Sequence, residues 1–197
     1  IPLMLNAIDY EVSSSKEGFE PMKKYGIEIM SLTYFVKNRP VALRGKNKDE
    51  IILYLLALTN WSKLDFLIID LPPGMGDEVL NVAYFIHGKN RGVVAVTIPS
   101  PIALDVVKKF IEVLRTLKCP ILGLVINMSY IKSNDKIINL FEKTSMNNIE
   151  RYTNTKVLVE LPLKPGAESY LRKGMLSDDE LGESIRNLAK AIVSKFM

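Results

Sequence analysis

Short apolar runs alternate along the chain with segments in which apolar residues recur every three or four positions. The runs that we predict as strands are Ile27–Ser31, Phe66–Asp70, Val93–Ile98, Ile121–Ile126 and Val157–Glu160. The second, third and fourth runs are continuously apolar, whereas strands with one wet face alternate apolar and polar residues. Continuous apolar runs are typical of strands that are covered on both faces of a parallel sheet.

The segments between these runs have helical periodicity. One helix is predicted from Asp49 to Trp61, and a second begins after Ser100 with Pro101 in its first turn, where the missing N–H costs nothing. The apolar stripe of this second helix consists of Ile102, Ala103, Val106, Val107, Phe110, Ile111 and Leu114. Both segments are long enough to cover a sheet.

The last helix is predicted to open at Ser177, with Glu180 three residues later as a capping box, and to run to Phe196. The more polar segments Ser13–Gly26 and Lys132–Thr155 are interpreted as surface insertions. Strands that alternate with helices predict an α/β fold, a doubly wound and mostly parallel sheet with helices on both faces.

Composition is that of one globular domain over residues 1–197, with 48% hydrophobic and 24% charged residues. The single cysteine, Cys119, excludes an intrachain disulfide and a two-cysteine metal clip, and it fits a cytoplasmic setting. No apolar run approaches the ~20 residues that span a bilayer. The net charge of +4 is only mildly basic, so lysines such as Lys108, Lys109 and Lys118 are interpreted as solvated surface, and no nucleic-acid partner is expected.

The run FLIIDLPPGMGDE ends a predicted strand on the carboxylate of Asp70 and continues into a loop of prolines and glycines. Pro72 and Pro73 stiffen this turn, and Gly76 allows a backbone angle that other residues resist. A carboxylate at the tip of a parallel strand suits a Mg²⁺–nucleotide site, where Gly74 lets a phosphate approach its amide. The alternative is an aspartate that simply ends a strand at a turn.

The stretch DFLIIDLPPGMGDEVLNVA resembles the strand and switch loop of the Mrp/ApbC-type ATP-binding iron–sulfur carriers, within the deviant-Walker group that includes MinD and ParA. IPLMLN, GIEIMSL, VALRG, VTIPSPIALDVVKKFIEVLRTLKCPILGLVINMSY and VLVELPLKPG resemble further segments of this family, in the same order. The likeness covers almost all of Ile1–Met175 and implies a P-loop NTPase fold.

The resemblance also implies the roles of individual residues. Asp70 would hold Mg²⁺ through water and position the attacking water, and Gly74 would lie near the γ-phosphate. Asn127 would hydrogen-bond the adenine, while Pro162 and Leu163 would lie against the base; for Asn127 a cap of a helix or turn is the alternative. The role of Arg44, in the VALRG stretch, cannot be derived. The family also implies ATP, Mg²⁺, a homodimer and iron–sulfur apo-protein targets.

Two parts of the family pattern are missing from the 197 residues. No glycine precedes a Lys-Ser or Lys-Thr pair, so the phosphate-binding loop is absent, and we expect a sequence truncated before Ile1 that binds ATP weakly. IKSNDK stands where the family has a Cys-x-x-Cys pair that bridges an iron–sulfur cluster. Cys119 is interpreted as a small, partly buried residue and His87 as a loop residue.

Three functions compete on this evidence. The first is an Mrp-type ATPase in iron–sulfur cluster carriage or assembly. The second is a MinD- or ParA-like positioning ATPase on membrane or DNA, for which the C-terminal AKAIVSKFM would be a membrane-touching helix, although packing on the sheet is the simpler interpretation. The third is a non-catalytic remnant that binds a partner. The proline pair of the switch loop favours the first.

Overall fold

The computed structural model describes residues 1–36, 45–72, 74, 76–85, 90–133, 136–141, 145–173 and 179–196. Our predictions for Arg44, Pro73, His87 and Ser177 lie outside these residues. The chain divides into two compact units, Ile1–Phe85 with Glu168–Met175, and Ile86–Ala167 with Leu176–Met197. Of the described helices, none is long and apolar enough to cross a membrane.

The helices and strands follow one another in a mixed order. They are β1 Met22–Lys24, β2 Ile27–Ile29, α1 Thr33–Val36, α2 Gly45–Leu58, α3 Asp77–Phe85, β3 Val93–Thr97, α4 Pro101–Thr116, β4 Ile121–Ile126, β5 Tyr130–Ser133, β6 Lys136–Asn139, α5 Met146–Thr153, β7 Val157–Glu160, α6 Ala167–Leu171 and α7 Glu180–Val193.

The first unit contains an antiparallel hairpin, β1–β2, and helices α1 to α3. The hairpin turns at Tyr25 and Gly26, both with positive φ, and β2 confirms a strand at Ile27 that is two residues shorter than predicted. Helix α2 confirms the predicted helix but begins earlier, at Gly45, and ends at Leu58. Directly after the helix, Thr59 pairs with Phe19 in an isolated parallel β-bridge.

The prediction of a buried strand at Phe66–Asp70 is wrong for this structure. No strand is formed there, and no β-ladder among the described residues includes the segment. Ile68 is 86% exposed, and Phe66 and Leu67 are about half exposed. Apolar character alone does not make a strand, because a strand also needs neighbouring strands that pair with its backbone N–H and C=O groups.

The second unit is built on a parallel three-stranded sheet in the order β3–β4–β7. The predicted bounds of β4 and β7 are confirmed, and β3 ends one residue before the predicted Ile98. Helices α4 and α5 cover one face and α7 packs against β7, so the predicted α/β class with a parallel sheet is confirmed. The buried core consists of Ala95, Leu104, Val107, Ile111, Leu124, Ile126, Ile149 and Val157.

Helix α4 begins at the predicted place but buries a different stripe. Ser100 is its N-cap, with extended backbone, and Pro101 is its first residue. The buried positions are Leu104, Val107, Ile111 and Leu114. Ile102 and Val106 are 80% and 50% exposed, because at 3.6 residues per turn they lie on the face opposite Leu104 and Ile111. The predicted apolar stripe therefore included two residues that lie outside the buried face of the helix.

The segment interpreted as a polar insertion, Lys132–Thr155, contributes to the core. It contains most of the hairpin β5–β6 and helix α5. Ile149 and Thr153 of this helix are 1% exposed, and the Thr153 hydroxyl donates to the Ile149 carbonyl oxygen at 2.8 Å. The low overall hydrophobicity of the helix concealed one buried apolar position.

The last helix is capped by a residue other than the predicted one. The N-cap of α7 is Asp179, whose Oδ1 accepts a hydrogen bond from the Gly182 backbone N–H at 3.2 Å. The helix ends at Val193 rather than at Phe196. It packs against β7, as expected of its apolar stripe. The N-cap is thus Asp179 and not Ser177, the predicted start, which lies outside the described residues.

Gly123, in the middle of the central strand, has no room for a side chain. Its φ is +155°, and a Cβ there would lie 2.5 Å from Leu158 Cγ and 2.9 Å from the Lys156 carbonyl oxygen. We expect Gly123→Ala to lower the free energy of unfolding by about 2–4 kcal/mol, through strain and overpacking. Urea denaturation of both proteins checks this. The control is Gly26→Ala, at positive φ but in open space, with an expected loss of about 1 kcal/mol.

Candidate nucleotide-binding site

The chain turns sharply where the central strand β4 ends. The Asn127 backbone N–H donates to the Thr97 carbonyl oxygen of β3 at 2.7 Å, and Met128 follows with a φ of +51°. Asn127 Oδ1 accepts a hydrogen bond from the Met128 backbone N–H at 3.0 Å. The side chain therefore caps the turn, as the alternative interpretation had it. This bond uses one lone pair of Oδ1 and leaves the Nδ2 donors to other partners.

A second loop lies beside this turn, after β7. The Leu161 N–H donates to the Ile126 carbonyl oxygen at 2.8 Å, and the Ser129 N–H donates to the Leu161 carbonyl oxygen at 3.0 Å. A third bond joins the Leu163 N–H to the Tyr130 carbonyl oxygen at 2.8 Å. These bonds hold the loop against the Asn127 turn, beyond the carboxyl ends of β4 and β7, where ligands of parallel sheets bind.

The structure thus brings together three of the predicted site residues. Pro162 is buried, whereas Asn127 and Leu163 are half-buried. A rigid apolar surface beside an amide with both a donor and an acceptor is suited to a planar, hydrogen-bonding base.

Polar and charged side chains connect this region to the first turn of α7. The Tyr130 hydroxyl donates to Glu180 Oε1 at 2.6 Å, and Lys132 Nζ lies 3.6 Å from Glu180 Oε2. Lys164, in the loop after β7, forms an ion pair with the N-cap residue Asp179. Burial is the larger cause, and the hydrogen bond to Glu180 the second, of a raised pKa of Tyr130, which is about 12. Burial also raises the pKa of Glu160, the last residue of β7.

The raised pKa of Tyr130 makes a pH dependence testable. Because the folded pKa lies above the usual value of 10, the stabilising contribution is present below pH 10 and is lost as the pH rises towards 12. In an ultraviolet titration we expect Tyr130 to ionise near 12, and Tyr130→Phe to remove its contribution. Glu180→Gln should lower this pKa only partly, because burial is the larger cause. A titration unchanged in Tyr130→Phe would contradict the assignment.

Asp70 and Gly74 lie in the first unit, apart from the Asn127 turn along the chain. Asp70 is exposed, in a segment without regular structure that precedes α3. Gly74 has a φ of +105° and is exposed, and a Cβ there would meet no atom within 4 Å. The left-handed backbone described in this loop therefore belongs to Gly74, whereas Gly76 accepts the first hydrogen bonds of α3, from Val79 and Leu80. The space beside the Cα of Gly74 is therefore open in the described part of the chain.

The only thiol of the chain lies at the other end of the central strand. Cys119 is 7% exposed and precedes β4. Burial raises the pKa of its thiol, which Arg91 lowers by a smaller amount. The interpretation of Cys119 as a small buried residue is confirmed, and a thiol with a raised pKa is a poor metal ligand. Among the described residues, no cluster of three or more His, Cys, Asp or Glu side chains is placed to hold a metal ion.

Sequence reasoning missed the side chains that hold the site in place. Tyr130, Glu180, Lys164 and Asp179 connect two loops to one helix, although they are up to 50 residues apart along the chain. The available signals were a lysine inside the base-loop stretch LPLKPG and an acidic run before the last helix. Neither signal identifies its partner, because ion pairs between distant segments depend on the tertiary fold.

Comparison with protein families gives one match over the whole chain. The model of the ParA family described as NUBPL iron-transfer P-loop NTPase matches residues 1–197. An iron–sulfur cluster carrier protein of Saccharolobus solfataricus is 35% identical over 170 residues, which cover 84% of this chain and 57% of that protein. A cytosolic Fe-S cluster assembly factor NUBP1 homolog of Caenorhabditis elegans is 30% identical over 210 residues, 100% of this chain and 67% of that protein.

An iron–sulfur cluster carrier protein of Aquifex aeolicus is 30% identical over 181 residues, 87% of this chain and 49% of that protein. The chain thus spans about half the length of the two carrier proteins it matches.

Two solved structures share the fold. A nucleotide-binding protein from Archaeoglobus fulgidus, in complex with ADP, superposes with a TM-score of 0.64 at 23% identity, over 100% of this chain and 71% of that one. The Pyrococcus furiosus cell division ATPase MinD gives a TM-score of 0.53 at 21% identity, over 77% of this chain and 59% of that one. At these identities the two structures establish the fold of the chain.

Proposed function

Because the chain belongs to the NUBPL iron-transfer P-loop NTPases of the ParA family, we propose that it is an ATP-binding, ATP-hydrolysing component of iron–sulfur cluster carriage or assembly. Relatives that match most of this chain are iron–sulfur cluster carriers and cytosolic assembly factors, which supports the proposal. The family membership confirms the resemblance first seen in the switch loop.

The observation that carries the proposal is the pairing of the Asn127 turn with the loop after β7. Three backbone hydrogen bonds hold Pro162 and Leu163 beside Asn127 at the carboxyl edge of the sheet. We assign the adenine to this place. The amide of Asn127 would read the edge of the base, and Pro162 and Leu163 would contact its face.

For Asp70 and Gly74, which belong to the first unit, we propose the roles that the family resemblance implies, at Mg²⁺ and at a phosphate. Mg²⁺ prefers oxygen ligands and keeps several of its waters, and the exposed carboxylate of Asp70 is suited to such a water-mediated contact. Bound Mg²⁺ would neutralise charge on the phosphates. The open, left-handed backbone of Gly74 supports a direct amide contact with a terminal phosphate.

The 197 residues contain no Gly-Lys-Ser/Thr loop, which limits what this chain can do with the phosphates. That loop supplies the amides, the lysine and the hydroxyl that hold the phosphates and Mg²⁺. We therefore expect this chain to bind ATP weakly and to hydrolyse it slowly.

Asp70→Asn is expected to remove most of the Mg²⁺ dependence of ATP affinity, because the amide keeps the shape of the side chain and loses its charge. ATP affinity is measured by calorimetric titration with and without Mg²⁺, and the ratio of the two affinities is taken for each protein. This ratio should be larger for the wild type than for Asp70→Asn by about threefold or more. AMP is the control ligand, since its affinity should be the same in both proteins. Equal Mg²⁺ ratios in the two proteins would show that Asp70 only marks a turn.

The cluster, the partners and the compartment are parts of the same proposal. The iron–sulfur cluster would be the cargo, and the family position that ordinarily supplies thiolates has IKSNDK, Ile131 to Lys136, without a cysteine. We propose a homodimer that serves apo-protein targets in the cytoplasm, a compartment supported by the name of the nematode relative. The positioning-ATPase alternative is supported by a likeness of fold to MinD, and no nucleic-acid partner is proposed.

A further inference from the structure

A cavity of about 350 Å³ lies at the amino-terminal edge of the parallel sheet. We call it the amino-edge cavity. Its polar wall consists of Arg115, Cys119, Thr155, Lys156 and Lys195. These residues come from α4, from the turns before β4 and β7, and from the end of α7. Three cationic side chains from three separate parts of the chain thus border one cavity.

Arg115 is held in position by acceptors of the cavity wall. Its Nη2 donates to the carbonyl oxygen of Asn154 and, at 3.0 Å, to Thr155 Oγ1. Asn154 is the left-handed C-cap of α5, so the acceptor position is determined by the end of that helix. A guanidinium fixed in this way presents its remaining N–H donors with little loss of side-chain entropy.

The two lysines have no anionic partner in the described part of the chain. Lys156 and Lys195 are exposed and form no ion pair with any described residue. The described residues that line the cavity include no aspartate or glutamate. Within the described part of its wall, the positive charge is therefore not balanced by acidic side chains.

Helix ends near the cavity offset only part of this charge. Helices α4, α5 and α7 end at Thr116, Thr153 and Val193, next to the lining residues. Each helix C-terminus carries roughly half a negative charge, so three of them contribute about −1.5 against three full positive charges. Glu150, whose Oε1 accepts a hydrogen bond from the Val157 N–H at 2.8 Å, adds a negative charge near Lys156, and the three cationic side chains still outweigh these charges and attract an anion.

We propose that the amino-edge cavity binds a small phosphate-bearing anion. Phosphate oxygens accept several hydrogen bonds at once, which matches a guanidinium and two ammonium groups around one space. The site is distinct from the proposed nucleotide site, because the six-residue strand β4 separates the two by roughly 20 Å. The inference goes beyond the proposed function and does not depend on it.

Backbone NMR titration of the 197-residue chain tests the proposal, with pyrophosphate as the probe and citrate as the carboxylate comparison. We expect pyrophosphate to shift the amide signals of Gly123 and Thr155, while those of Asn127 and Leu163 move less. Lys156→Gln with Lys195→Gln should weaken this binding about tenfold. The matched control is Lys63→Gln with Lys136→Gln, the same charge change at exposed lysines that do not line the cavity.

Several results would overturn the proposal. The first is the absence of pyrophosphate-induced shifts at Gly123 and Thr155. The second is the same loss of affinity in both double variants, which would mean attraction by net charge alone. The third is stronger binding of citrate than of pyrophosphate, which would assign the cavity to carboxylates. Circular dichroism of each variant verifies that the fold is intact, and retained binding in a folded Lys156/Lys195 variant would also count against the site.

Discussion

Anaerobic reconstitution with iron and sulfide is expected to leave this chain with almost no iron–sulfur cluster. The usual [4Fe–4S] centre needs four thiolates, and a dimer of this chain supplies two, one from each Cys119. Each thiol is buried with a raised pKa, at the end of β4 opposite to Asn127. We expect well below about 0.1 cluster per chain by iron and sulfide assay, since no second thiol can complete the ligand set.

Cys119→Ser is the control for this reconstitution. It should change neither the iron nor the sulfide content, because the thiol is not an available ligand. A stoichiometric cluster that survives Cys119→Ser would show that its ligands are not thiolates. A stoichiometric cluster lost in Cys119→Ser would show that the buried thiol becomes accessible. Either result would contradict our interpretation of IKSNDK, Ile131 to Lys136, as a segment that replaces the family cysteines.

Asn127→Ala is expected to lower the affinity of the chain for adenine nucleotides by about ten- to a hundredfold, because the base loses both a donor and an acceptor. This variant also leaves the Met128 N–H without its acceptor, so it should be slightly less stable. Asn127→Asp is the matched variant. Its carboxylate can still accept from Met128 but cannot donate to the base.

The pair of variants separates base recognition from turn capping. If Asn127 reads the base, both variants lose affinity and Asn127→Asp keeps its thermal stability. Calorimetric titration with ADP and a melting curve of each protein provide the two measurements. Unchanged ADP affinity in Asn127→Asp would mean that the side chain only caps its turn, and the assignment of adenine to this place would be withdrawn.

The parallel sheet and its main helix could be predicted from sequence because their signals are local. The bounds of β4 and β7 follow from apolar runs, and the start of α4 follows from Ser100 and Pro101. The three residues assigned to adenine were found by resemblance, and the structure places them side by side. Their positions at the ends of parallel strands explain why they are neighbours, since such ends share one edge of the sheet.

The predictions that failed concern features that depend on contacts between residues distant in sequence. The run Phe66–Asp70 has the composition of a buried strand, yet it is exposed and joins no described ladder. Ile149 is buried although it belongs to the polar helix α5, because this helix packs on the sheet through only one of its faces. The bond between Tyr130 and Glu180 joins residues 50 positions apart, and no local pattern marks it.

The most direct test of the central claim is an NMR titration of the chain with AMP, which has the base but little of the phosphate charge. We expect the largest amide shifts at Asn127, Met128 and Leu163, with Leu161 also affected through its backbone bonds. Shifts confined to other parts of the chain, or no saturable shift with AMP, would contradict the claim that the carboxyl edge of this sheet binds adenine.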